Sequence, residues 1–115
     1  MQYYNAIFWE EADAFIQSLD RKTQKKVFYN IRLAEHTKDP ELSKKLSGEI
    51  WEFRTLYLGI QIRILAFWDK TDNKQTLVLA ANGFIKKPQK TPNSEIERAE
   101  RIRIKYFEEK NQIAN

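Results

Sequence analysis

Two arginines, Arg54 and Arg63, have the residue type and spacing best suited to chemistry in this sequence. Each lies in a short run of apolar and aromatic residues, 50–54 and 61–68, which is typical of neighbouring strands. If the strands pair in register, the arginines and nearby lysines converge on one end or face of a sheet. A rigid guanidinium fork beside crowded lysines suits a phosphodiester. The lysines before and after these runs are Lys44, Lys45, Lys86, Lys87 and Lys90.

Other catalytic and ligand chemistries have little support in the composition. The chain contains no cysteine, which excludes a disulfide framework, a thiolate metal site and a cysteine nucleophile. His36 is the single imidazole, so neither a histidine-rich zinc site nor a Ser–His–Asp triad is expected. There is no glycine-rich phosphate loop and no set of carboxylates at metal-ligand spacing. We therefore expect no metal site and no cofactor.

Length and charge narrow the class of protein. A chain of 115 residues is long enough for one domain with a real core, and we expect residues 1–115 to form it. The net charge of +4 favours acidic partners, nucleic acid first, although the same charge also suits a domain that is merely soluble. No apolar run approaches the roughly 20 residues that cross a bilayer, and the N-terminus lacks a secretion signal. We expect a cytoplasmic protein without membrane contacts.

The elements that must position the cations form a predicted meander over residues 50–90. Turn residues near Gly59 and at 70–73 separate three apolar runs, the third of which covers 76–81. The run 61–68 has large apolar groups on both faces, so it should be the central strand. Arg63 within it is costly to bury unless it is satisfied. It either pairs with Glu52 or another carboxylate, or it faces an anionic ligand.

The flanking segments are predicted to be mostly helical. A strand over 3–8 precedes a helix whose apolar stripe includes Phe15 and Ile16, and Asp20 caps a second helix that ends at Asp39-Pro40. Residues 41–48 are expected to be a connector, and a last helix begins near Ser94. The fold class is thus α+β: two N-terminal helices pack on a twisted, mainly antiparallel sheet of about four strands, with a C-terminal helix completing the cover. The expected core contains Trp51 or Phe53, Ile62, Ile64, Leu77 and Leu79, with Phe15, Val27 and Ile31 docking from the helices.

Three stretches of the chain carry a family resemblance. Residues 45–54 read KLSGEIWEFR, residues 63–65 read RIL, and residues 83–92 read GFIKKPQKTP. With the helices around them, they resemble the HigB-type branch of the RelE/ParE toxin superfamily over nearly the whole chain. The resemblance implies a RelE-like fold and a toxin that cuts mRNA in the ribosomal A site. A helix-turn-helix antitoxin would hold such a toxin inactive.

The resemblance also implies roles for individual residues. Arg54 and Arg63 match strand cations that contact the scissile phosphate, and the basic loop before the last helix supplies two further candidate catalytic residues, Lys87 and Lys90. The expected RNA-binding residues are Lys44, Lys45, Lys86 and Gln89. The sequence departs from the RelE pattern at Glu52, where RelE-like members carry a cation, and it has no tyrosine after the basic loop. Tyr106 lies far into the last helix, so no general base is assigned.

The implied mechanism is attack by the RNA's own 2′-hydroxyl, with the protein orienting it and stabilising charge. Three alternatives stay open. A ParE-like toxin would use the same fold to inhibit DNA gyrase without cutting anything. A non-catalytic relative would use the cations for phosphate contacts alone. An inert relative would have lost its activity.

Overall fold

The computed structural model describes residues 2–37, 39–73, 75–80, 84–86 and 91–114, and within these ranges it contains three α-helices and six strands. No helix in these ranges is both long enough and apolar enough to cross a membrane. The elements in chain order are β1 (Asn5–Phe8), α1 (Glu10–Gln17), α2 (Arg21–Thr37), β2 (Ser43–Ser47), β3 (Ile50–Tyr57), β4 (Ile60–Asp69), β5 (Thr76–Leu79), β6 (Phe84–Lys86) and α3 (Asn93–Ala114).

The described strands form one mixed sheet in the order β1-β5-β4-β3-β2, and β6 pairs with β4 beside β5. The expected sheet of about four mainly antiparallel strands matches the structure in part: four of the five described pairings are antiparallel, but there are more strands than expected and one pair is parallel. The stretch expected to be a connector forms β2, which pairs antiparallel with β3 at the sheet edge. The first strand, β1, pairs parallel with β5. A parallel pair requires a long crossover connection, and here α1, α2 and the strands after them lie between its two strands.

The first face of the sheet is covered by α1 and α2. Asp20 caps α2, because its Oδ1 accepts a hydrogen bond from the Thr23 backbone amide at 2.8 Å. Phe15 is only partly buried against this core. The other members of the expected core are confirmed, and of the two alternatives Trp51 and Phe53 it is Phe53 that is buried. The buried residues of this face include Ala12, Ile16, Val27, Ile31, Ala34, Phe53, Ile62, Ile64, Leu77 and Leu79.

The second face of the sheet is covered by α3. Ala99 and Ile102 of α3 pack on Leu65, Phe67 and Val78, which alternate with the residues that point to the first face. The last helix therefore does not extend the layer that α1 and α2 form. The sheet is a middle layer between two helical layers, which explains why β4 is apolar on both faces.

The tightest turn in the meander joins β3 to β4. Leu58 and Gly59 both adopt positive φ, 51° and 77°, as a two-residue hairpin turn of type I′ requires. A bulky leucine rarely adopts this conformation, and its side chain is 81% exposed. The short turn fixes the register of β3 against β4.

The far end of β4 is anchored to α3 by Asp69, which is 3% exposed. Its Oδ2 accepts hydrogen bonds from Tyr106 Oη and Lys110 Nζ, each at 2.6 Å, and its Oδ1 accepts from Thr71 Oγ1, also at 2.6 Å. Burial alone would raise the pKa of Asp69, but the bonds from Lys110, Thr71 and Tyr106 outweigh it and hold that pKa well below its usual range. The carboxylate is thus a fixed charge that holds α3 to the sheet.

Candidate functional site

The candidate site is built on the register of β3 and β4. In that register Arg54 and Arg63 are direct cross-strand partners, and Glu52 pairs with Leu65 on the same face. This is the face that α3 covers, because Leu65 belongs to its core. The expected convergence of the two arginines is therefore present in the structure.

The centre of the site is the carboxylate of Glu52, whose side chain is 1% exposed. Its Oε1 accepts a hydrogen bond from Arg54 Nε at 3.1 Å, and its Oε2 accepts one from Thr91 Oγ1 at 2.5 Å. Arg63 Nε lies 3.2 Å from the same Oε1, which is an ion pair whose geometry is too poor for a hydrogen bond. A buried carboxylate persists only when it is paired, and here two guanidinium groups and a hydroxyl satisfy it.

The Arg63 side chain is held by two neighbours, Glu52 and Gln61. Its guanidinium also donates from Nη2 to Gln61 Oε1 at 2.6 Å, and its side chain is 10% exposed. Burial lowers the pKa of Arg63, Glu52 opposes that effect, and the charge of Arg54 adds to it. The group nevertheless stays protonated, as arginines in proteins do. Of the two interpretations left open for Arg63, the structure shows the pairing with Glu52.

Arg54 is the accessible member of the pair, with 29% of its side chain exposed. It borders a groove of about 450 Å³ towards β2 and another of about 380 Å³ towards the β3–β4 turn. Its Nε donates to Glu52, and no described residue accepts a hydrogen bond from its Nη groups. The Nη groups can therefore donate to an anion.

The N-terminus of α3 adds to the positive potential of the larger groove. Asn93, the first residue of α3, borders this groove, so the positive end of the helix lies beside Arg54. Glu95 in the same turn offsets part of that field. An anion in the groove would therefore meet a guanidinium fork and the helix end together.

The structure describes some of the lysines that the sequence predicted for the site. Lys44 pairs with Glu52 across β2 and β3, so it shares the face of Arg54, and Lys45 pairs with Trp51. Both lysines are exposed and both border the larger groove. Lys86 pairs with Gln61, which brings its backbone beside the strand of Arg63. The remaining predicted residues, Lys87, Gln89 and Lys90, lie outside the described residues.

Two residues of the site were not assigned a functional role from the sequence. Glu52 was considered as an ion-pair partner but not as the common anchor of both arginines. The sequence feature that could have indicated this role is a carboxylate two positions before Arg54, on the same face of an apolar strand. Thr91 was read only as part of the basic loop, and no local pattern connects it to Glu52. Tyr106 is excluded from the site because it bonds Asp69, which lies six residues beyond Arg63 on β4, about 20 Å along the strand.

In the described part of the chain, no three His, Cys, Asp or Glu side chains form a group that could hold a metal ion. One family model matches the chain: Phage derived protein Gp49-like (DUF891), over residues 14–104. The matched region includes both arginines, Glu52 and Thr91. No curated protein and no solved structure matches the chain.

Proposed function

The chain belongs to the Phage derived protein Gp49-like family, a family of toxins from toxin–antitoxin systems, and on that premise we propose that it is a ribosome-dependent mRNA endonuclease. The observation that carries the proposal is the pair of guanidinium groups, Arg54 and Arg63, fixed on the buried carboxylate of Glu52. Both arginines border the smaller groove, and Arg54 also borders the larger one. Two arginines against one glutamate leave net positive charge where an RNA phosphate can enter.

The proposed reaction is attack by the 2′-hydroxyl of the RNA on the adjacent phosphate. The 2′-hydroxyl gives up its proton as its oxygen bonds to phosphorus, and the P–O bond to the 5′-oxygen of the next nucleotide breaks. The 5′-oxygen takes up a proton and leaves as a hydroxyl, and a 2′,3′-cyclic phosphate remains. Negative charge develops on the nonbridging oxygens, and cations fixed in advance stabilise it without reorganising. One such donor commonly contributes about 3 kcal/mol, or roughly a hundredfold in rate.

Arg54 is proposed to contact the phosphate oxygens, because its Nη groups are accessible and Glu52 fixes its Nε. Arg63, which lies against the same carboxylate, is proposed to touch the reacting phosphate from the smaller groove, which it borders together with Arg54. Lys87 and Lys90 are proposed as further catalytic residues, since a lysine crowded by cations loses its proton more readily and can move protons. Lys44, Lys45, Lys86 and Gln89 are proposed to contact the RNA.

The proposed partners follow from the same chemistry. Ribosome-bound mRNA is the substrate, because the ribosome can hold the message in the geometry for in-line attack. A small helix-turn-helix antitoxin is the proposed inhibitor. Covering the groove beside Arg54 with acidic side chains would neutralise the toxin.

The test compares cleavage on programmed ribosomes with cleavage of the same RNA alone. The purified protein should cut mRNA on ribosomes and leave cyclic phosphate ends, while naked RNA is cut far more slowly. Arg54→Ala should lose activity, whereas Arg101→Ala, an exposed arginine of α3 away from the groove, should keep it. Rapid cutting of naked RNA would contradict the ribosome requirement. DNA breaks and an SOS response on induction, with intact mRNA, would instead indicate a ParE-like gyrase inhibitor.

A further inference from the structure

A second hollow lies on the opposite face of the sheet from Arg54 and has a volume of about 360 Å³. Three aromatic rings line it: Tyr4, Trp51 and Trp68. The Trp51 and Trp68 rings meet edge to face with centroids 5.8 Å apart, and Tyr4 and Trp68 do so at 4.9 Å. Tyr4 is buried and supports Trp68, whereas Trp51 and Trp68 are half-buried and can be stacked on. These contacts hold the two tryptophans in place, so a ligand that stacks on them does not have to order them first.

Polar groups at the rim of this hollow can bond to the edge of a planar ligand. Gln75 offers an amide and Asp39 a carboxylate, which together supply donors and acceptors of the kind that read base edges. Burial, helped by the nearby charge of Glu35, raises the pKa of Tyr4 to about 12, so its hydroxyl keeps its proton at neutral pH. The hollow therefore combines stacking surfaces with a few polar groups, as ligand sites usually do.

Charges of both signs surround the hollow, and the cations among them can contact the phosphates of a ligand whose base meets Asp39. Lys70 lines the hollow, and Lys45 is the cross-strand partner of Trp51 on the edge strand β2. Lys45 also borders the groove beside Arg54. Because successive residues of a strand point to opposite faces, Lys44 and Lys45 place cations on both sides of this edge. A nucleic-acid strand that passes around β2 from the groove to the hollow would meet Lys44, Lys45 and Lys70 along the way.

We propose that the hollow lined by Tyr4, Trp51 and Trp68 binds one unpaired nucleobase of a single strand whose phosphates follow Lys45 and Lys70. Single-stranded nucleic acid is commonly bound in this way, with a base stacked on aromatic rings and its backbone in a cationic track. The proposal rests on the proposed function only for the natural source of the base, a messenger RNA. Base binding here would fix the message in position relative to Arg54 across the sheet edge.

The test uses a deoxyadenylate hexamer, which has bases to stack but no 2′-hydroxyl to attack. The chain has three tryptophans, so a Trp9→Phe background leaves both reporters in the hollow. The hexamer should quench their fluorescence saturably. A hexamer of the same length without bases should bind roughly tenfold or more weakly, because base–aromatic stacking supplies that margin. Equal binding of the abasic hexamer overturns the proposal, and this comparison needs no altered pocket.

Substitutions in the hollow give the second comparison. Trp51→Leu should weaken hexamer binding roughly tenfold, and Trp51→Phe, which keeps an aromatic face, should restore most of it. Unchanged affinity in a folded Trp51→Leu protein overturns the proposal. Loss of antitoxin binding with hexamer binding intact would also overturn it, since the hollow would then hold a protein side chain. A parent protein that binds the hexamer but cuts no mRNA on ribosomes refutes only the proposed function, so the two proposals can fail separately.

Discussion

Glu52 and Arg63 form an ion pair that is almost wholly removed from water: Oε1 lies 3.2 Å from Nε, and the two side chains are 1% and 10% exposed. Such a pair links stability to function, because the same carboxylate also holds Arg54. Arg63 is more buried than Arg54, so replacing each should lower the free energy of unfolding by a different amount, although the two are cross-strand partners.

Arg63→Ala should destabilise the protein strongly. It removes one cation from a buried carboxylate, a loss that typically lowers the free energy of unfolding by about 3–5 kcal/mol. In the protein that remains folded, single-turnover cleavage in pre-bound ribosome complexes should fall roughly tenfold to a thousandfold. Urea denaturation and rapid-quench kinetics measure the two effects.

Arg63→Lys separates charge from geometry at this position. Lysine keeps the positive charge but lacks the planar fork, so stability should recover in part while the cleavage rate stays low. Cleavage at the parent rate would show that the fork plays no part. If Arg63→Ala is unfolded at the assay temperature and Arg63→Lys is fully active, Arg63 is a structural ion-pair partner only.

Arg54→Ala should show the opposite balance. Its side chain is partly in water, so the loss of its bond to Glu52 should lower the free energy of unfolding by only about 1 kcal/mol. The cleavage rate should nevertheless fall roughly a hundredfold, because this is the accessible donor. Comparable stability losses in Arg54→Ala and Arg63→Ala would contradict this assignment of roles.

The Thr91 hydroxyl should contribute to the free energy of unfolding, because it bonds the buried carboxylate of Glu52. Thr91→Val keeps the shape of the side chain but leaves Glu52 Oε2 without its bond, which should cost about 1.5–3 kcal/mol, the range for bonds to charged groups. Thr91→Ser retains the hydroxyl and should lose much less. Equal melting curves for Thr91→Val and the parent protein would show that the bond contributes nothing.

Stability should fall in acid through Asp69. The pKa of this carboxyl is depressed in the folded state, whereas in the unfolded chain it takes up a proton near pH 3.9. The unfolded state therefore binds more protons below that pH, and stabilisation present above about pH 5 is lost as the pH drops further. Asp69→Asn should be less stable at pH 7, and its disadvantage should shrink between about pH 4 and pH 2. A constant difference across that range would contradict the linkage.

Lys44 and Lys45 should act through affinity alone. Replacing both with alanine removes phosphate contacts at the sheet edge, so ribosome binding should weaken and its logarithmic salt slope should decrease by up to about 2. Single-turnover cleavage in complexes formed at saturating protein should stay near the parent rate. A lower rate at saturation would place these lysines at the reacting phosphate.

The sequence was informative where a local pattern determines the structure. Alternation in the run 61–68 and the turn near Gly59 predicted that Arg54 and Arg63 lie on neighbouring strands, and the structure adds the register that makes them direct partners. β2 was missed because it is an edge strand with two adjacent lysines and little apolar alternation, a composition that protects edges from pairing. Its two lysines were predicted as cations, but their opposite faces follow only from the pairing.

Contacts between residues far apart in the chain could not be predicted, because no local pattern encodes them. The run at the N-terminus was recognised as a strand, yet no local feature states that its partner is β5 or that the pair is parallel. The bond between Thr91 and Glu52 joins residues 39 positions apart, and it depends on where α3 begins over the second face. These contacts are decided by packing between elements.

The parallel pairing of β1 with β5 has a consequence for the synthesis of the chain. β1 leaves the ribosome before β5 and has no partner until Thr76–Leu79 have emerged. The β3–β4 hairpin can form locally before then, whereas the Thr91 contact on Glu52 comes later still. At about 5–20 residues per second, the nascent chain spends seconds with an unpaired edge and an unsecured Glu52. A newborn copy is thus exposed to chaperones and proteases before its arginine site is complete.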